Sequence, residues 1–132
     1  MSYAQRNGIK YDPLETNSIS LAVIKKIAAE DGIEFKQGDI LFVRSGWEGR
    51  YTALSQEERI KISELKQHQF TGVEQSVDMA KFLWDTGFAA CAGDAPSWEA
   101  WPHSQDESKG RVNNIGFLLK CFFKIGFLLN CF

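Results

Sequence analysis

Phe88-Ala-Ala-Cys-Ala-Gly-Asp94-Ala-Pro-Ser-Trp-Glu-Ala-Trp-Pro102 begins as an apolar run and breaks at an acidic, proline-containing turn. A short apolar run bounded by turn signals reads as a strand inside a sheet, here Phe88 to Ala92. In open α/β sheets, ligands settle in the crevice beyond the carboxyl ends of the strands. Asp94 stands just past that end, where it can face a substrate or a metal. Its plainer reading is an Asx turn, with the carboxylate accepting backbone N–H groups of the Ala95-Pro96 turn. Cys91 sits within the run, where a thiol behaves as a small buried hydrophobe more often than as a nucleophile. Ser97 has no Gly-x-Ser-x-Gly elbow around it and no assignable His partner.

A second strand is expected over Asp39-Ile-Leu-Phe-Val-Arg-Ser45. Its continuous apolarity predicts burial on both faces and hence an interior place in an α/β sheet. Trp47-Glu-Gly-Arg-Tyr51 then reads as a loop. Arg44, Trp47, Arg50 and Tyr51 together could contact an anionic or aromatic ligand, or simply pack and pair. Ile9 to Pro13 reads as an irregular lead-in, and Thr16-Asn17-Ser18 as a stretch able to begin a helix. Ser20 is the expected N-cap of a helix to about Asp31, stapled by Ile19 and Ile24 and ended by a left-handed Gly32. Ser55-Gln-Glu-Glu58 is a capping box opening a helix to about Leu65 with a charged, solvated side. After a linker holding His68 and Gly72, Ser76 caps a helix with Met79, Phe82 and Leu83 on one side, closed by Gly87. The order is helix, strand, helix, helix, strand, an alternation that implies crossover connections.

Composition narrows the function classes. A chain of 132 residues, 44% hydrophobic and 24% charged with a formal net charge of -2, is one ordinary globular domain. Basic residues are scattered among acidic ones, so no nucleic-acid face is expected. Cys91, Cys121 and Cys131 form an odd set without a Cys-x-x-Cys pair, and the amino-terminal residues carry no apolar signal segment. These features fit a reduced, cytoplasmic setting. His68 and His103 are the only histidines. Asp94, Glu99 and His103 make at most a weak ligand cluster. Neither a Walker loop nor a dinucleotide turn is present.

Four blocks carry a resemblance: residues 11–21 (Tyr-Asp-Pro-Leu-Glu-Thr-Asn-Ser-Ile-Ser-Leu), 38–47 (Gly-Asp-Ile-Leu-Phe-Val-Arg-Ser-Gly-Trp), 70–76 (Phe-Thr-Gly-Val-Glu-Gln-Ser) and 92–102 (Ala-Gly-Asp-Ala-Pro-Ser-Trp-Glu-Ala-Trp-Pro). In that order they resemble the fungal branch of the cyclase-like metal-dependent hydrolases, relatives of bacterial kynurenine formamidase. The resemblance implies an α/β fold, a swivelling β/α domain with a mixed sheet flanked by helices. It also implies metal-assisted attack of water on an amide or cyclic ester, N-formylkynurenine being the best-known substrate in tryptophan catabolism to kynurenine. The implied cofactor is a divalent metal, zinc or manganese. The family's His-x-Gly-Thr-His-x-Asp motif has no counterpart here, and Ser-Gln-Asp-Glu after His103 does not reproduce the family's continuation. No ligand role is therefore carried onto His103, the chain itself is not expected to hold the metal, and no catalytic or metal residue is assigned. The expected substrate contacts are Asp94, Ser97 and Trp47, on a small amide or ester. The competing expectation is a noncatalytic binding module that keeps the fold and lacks the metal site.

Residues 1–103 thus read as a partial, truncated cyclase-like domain, and 104–132 as a divergent apolar tail. Within the tail, Ile115-Gly-Phe-Leu-Leu-Lys-Cys-Phe122 recurs as Ile125-Gly-Phe-Leu-Leu-Asn-Cys-Phe132. Lys120 and Lys124 interrupt it, and a bilayer-spanning helix needs about 20 predominantly apolar residues, so a membrane anchor is the lesser reading. A homo-oligomer is expected from the habit of the family.

Overall fold

Three serines decide where helices begin. In the computed structural model, which describes residues 2–102, Ser20, Ser55 and Ser76 have extended backbone, and each hydroxyl accepts from the N–H three residues on. The elements run α1 (Tyr3–Arg6), β1 (Ser18–Ile19), α2 (Leu21–Glu30), β2 (Ile40–Val43), α3 (Trp47–Thr52), α4 (Gln56–Ser63), β3 (Gly72–Val73), α5 (Val77–Thr86) and β4 (Ala90–Gly93). Gly32 and Gly87 take the left-handed conformation expected after α2 and α5. Ser55 and Glu58 form the full capping box of α4. The apolar tail, the 103/104 boundary and His103 lie outside the described residues.

The strands pair in parallel, β1 with β3 and β2 with β4, as crossover connections require. Where the resemblance implies one mixed sheet, two small parallel sheets form among the described residues. Antiparallel pairing enters only as the Phe70–Trp101 bridge among the described residues. The chain after β4 joins the two sheets: the Val73 N–H donates to the Trp98 carbonyl at 2.9 Å, and the Ala100 N–H donates to the Val73 carbonyl at 3.0 Å. Gly72 makes this close approach possible, because a Cβ there would collide with the Glu99 carbonyl carbon and the Ala100 nitrogen.

The core lies between α2, α5 and the strands. Ile24, Val73, Met79, Leu83 and Phe88 are buried together, with Ile19, Leu41, Cys91 and Trp98 packed against them. Phe35, Phe82 and Phe88 meet edge to face at centroid distances of 5.4, 5.6 and 5.6 Å, the geometry favoured by the ring quadrupoles.

Several expectations are corrected. Ile40 and Phe42 on β2 are 54% and 72% exposed, so the strand alternates instead of being buried on both faces. Among the described residues, only one side of the β2–β4 sheet is covered, by the core. Residues 47–51 form α3 and not a loop: Gly46 sits at φ +85° as its N-cap, a turn that sends the chain straight from strand to helix. The strand expected over 88–92 occupies Ala90–Gly93, since Phe88 turns into the core. Ser18 lies in β1 and the helix starts at Ser20 as expected, while α1, β1 and β3 are too short for a hydrophobic period to announce them.

Candidate functional site

Parallel pairing of β2 with β4, with Val43 opposite Gly93, brings the carboxyl ends of both strands to the same edge. Ser45-Gly46 leaves one strand there and Asp94 the other. The Asp94 carboxylate reaches across and is clasped: Oδ1 accepts from the Ser45 N–H at 2.6 Å and the Ser45 hydroxyl at 2.8 Å, and Oδ2 accepts from the Gly46 N–H at 2.7 Å. Tyr11 completes the arrangement by donating its hydroxyl to the Ser45 carbonyl at 2.6 Å. The partners of Asp94 are thus on the neighbouring strand's exit and not in the Ala95-Pro96 turn. The reason is geometric: successive amides at 45 and 46 point toward the carboxylate, and Ser45 is buried.

Electrostatics follow from this geometry. Partial burial pushes the Asp94 carboxyl up, but the hydrogen bonds from the Ser45 hydroxyl and the Ser45 and Gly46 amides outweigh it, and the net shift is downward. Burial, and then the Asp94 charge, push the Tyr11 hydroxyl up, so Tyr11 stays a donor. On β4, burial raises the Cys91 thiol to about 11, in keeping with its expected role as a packed hydrophobe.

The other expected contacts fall around this edge in different states. Trp47, half-buried on α3, stacks on Tyr51 at 4.7 Å and 9°, and Arg59 lies over the Tyr51 ring at 5.4 Å. This stack ties α3 to α4. Arg50 pairs with Asp12 at 3.3 Å, leaving Arg44 apart from it. Ser97 closes a local turn, its hydroxyl accepting from the Glu99 N–H at 3.2 Å. Glu99 is buried and accepts from the Gln75 side-chain amide at 2.8 Å. His68 is exposed in the linker after α4.

A hydrolytic divalent metal needs three or more convergent protein donors with one position open. Among the described residues, no group of three His, Cys, Asp or Glu side chains could hold one. Both oxygens of Asp94 are occupied by Ser45 and Gly46, and a Glu99 oxygen faces Gln75. The donor set among the described residues does not fit the metal that the resemblance implies. Ser45, Gly46 and Tyr11 were the residues that sequence reasoning missed. The Ser-Gly pair after a strand hinted at a turn, but only the register of β2 against β4 places it opposite Asp94.

The sequence profile of the family described as "Putative cyclase" matches residues 8–100. A crystal structure titled as that of a novel cyclase superposes with a TM-score of 0.61 at 21% identity, covering 74% of this chain and 30% of that one. The chain therefore spans under a third of the length of that solved relative. None of the curated proteins matches. The four blocks around the clasp, the parallel α/β topology and the match over residues 8–100 agree, and the chain belongs to the cyclase family.

Proposed function

We propose that this chain forms the substrate-side wall of an arylformamidase-type cyclase-family hydrolase, binding an aryl amide such as N-formylkynurenine on the α3 face. The observation that carries the reading is the clasp. It fixes the exit of β2 rigidly, and with it the half-buried Trp47 at the start of α3. An indole held next to a polar strand end suits a ligand with an aromatic ring and an amide. Family membership supports attack of water on an amide or ester carbonyl, for which a bound zinc or manganese would bring the pKa of water down toward neutrality. The described residues contribute orientation and exclusion of water, and the donors for that ion are not among them.

A second reading, a noncatalytic binding module, is favoured by the full engagement of Asp94. Titration of the purified 132-residue chain with N-formylkynurenine separates the two. Tryptophan fluorescence reads binding, and kynurenine absorbance reads turnover with and without Zn²⁺ or Mn²⁺. The proposal expects saturable binding that Trp47→Ala weakens by about three- to tenfold, and turnover with added metal only where donors from outside residues 2–102 complete its site. Binding without turnover at any metal concentration assigns the noncatalytic module. Absence of binding, or binding indifferent to Trp47→Ala, overturns both.

A further inference from the structure

Beside the clasp, the free edges of β1 and β2 do not meet, and α2 floors the gap between them, which shares Tyr11 with the clasp. The result is a cavity of about 530 Å³ lined by Val23, Ile27, Ile33, Leu41 and Phe42, among others. Its size lies within the range of small-ligand sites, and its wall joins aliphatic side chains of α2 and β2 to polar ones that include Tyr11, Asn17, Ser18 and Thr71. Two of its residues, Ile33 and Phe42, are 52% and 72% exposed, so apolar surface is left in water that an occupant would cover.

The charge of the lining selects the occupant. Among the described residues Lys10 and Arg44 are the only charged ones that line the cavity, and both are exposed cations. Among the described residues neither is engaged in an ion pair, in contrast to Arg6, Lys26 and Arg50. No Asp or Glu among the described residues lines the cavity. An aliphatic trough with unopposed cations at its rim complements an anion with an apolar chain, with the guanidinium supplying a planar donor fork to a carboxylate.

We propose that this cavity is a binding site for a medium-chain alkyl carboxylate, its chain along α2 and β2 and its headgroup at Lys10 and Arg44. The site is separate from the α3 face and stands whether or not aryl amides bind there.

The test compares dodecanoate, dodecanol and dodecyltrimethylammonium, each below its micellar concentration, on the intact chain by isothermal titration calorimetry. The expected result is one dodecanoate per chain, about tenfold or more tighter than dodecanol and tighter still than the ammonium. The Lys10→Gln/Arg44→Gln double variant, which changes only exposed side chains, brings dodecanoate down to the affinity of dodecanol. Trp47→Ala leaves dodecanoate binding intact, which separates this site from the aryl-amide reading. Equal affinity for the three headgroups, no binding, or binding unchanged in the double variant overturns the proposal. A dimer in sedimentation velocity that Phe42→Glu abolishes and dodecanoate leaves in place also overturns it, because a second copy then fills the cavity.

Discussion

Replacing Asp94 with Asn keeps the shape of the side chain but removes the charge and turns an amide NH₂ toward at least one donor. Hydrogen bonds to charged groups contribute about 1.5–3 kcal/mol net, and an orphaned buried donor costs a similar amount. Asp94→Asn is therefore expected to lower unfolding stability by about 2–3 kcal/mol, read by urea denaturation. The same clasp sets a pH dependence. The folded carboxyl titrates below its ordinary value of 3.8, so its contribution is complete above that value and is lost as pH falls through the lower, folded one. Denaturation midpoints measured at descending acidic pH should converge for wild type and Asp94→Asn, the wild type losing its advantage. Cys91 offers a chemical check: with its thiol raised to about 11, alkylation at neutral pH should be far slower in the native protein than in denaturant, with peptide mapping isolating that cysteine.

Caps and close approaches govern the elements. Ser76 is buried and caps α5, which carries the core residues Met79 and Leu83, so Ser76→Ala should cost about 1–2 kcal/mol. Gly72→Ala should cost more, upwards of about 3 kcal/mol, since the added methyl meets rigid backbone at Glu99 and Ala100 and cannot be accommodated by a rotamer change. The helices that sequence reasoning placed correctly, α2, α4 and α5, join a serine cap to eight or ten helical residues, whereas α1 has its own Ser2–Gln5 capping box but only four residues. β1 and β3 escaped it because each is a two-residue strand defined by a partner more than 50 positions away. The burial of β2 was misjudged for a related reason. An apolar run shows that a strand forms, but the number of layers around it is a property of the assembled sheet, and here Ile40 and Phe42 remain exposed.

Across the described residues, the core is one buried cluster, and Phe42 is among the most exposed large apolar side chains. Met79 is fully buried, and Met79→Ala should cost about 2–5 kcal/mol, whereas Phe42→Ser should stay within about 0.5 kcal/mol because that ring already faces water. Paired thermal melts check the contrast. Asp94 was legible as a candidate from its place after an apolar strand, but its partners were not, because pairing register brings residues 49 positions apart within hydrogen-bond reach. The clasp makes Asp94 the tie between two strand ends, with its charge spent on Ser45 and Gly46. The most direct measurement is an NMR titration of the Ser45 and Gly46 amide protons with pH and then with Zn²⁺. The expected result is that both amides follow a single carboxyl titrating below 3.8 and stay fixed when Zn²⁺ is added at neutral pH. Stoichiometric Zn²⁺ binding that releases those two amides would show Asp94 to be a metal ligand and contradict the account.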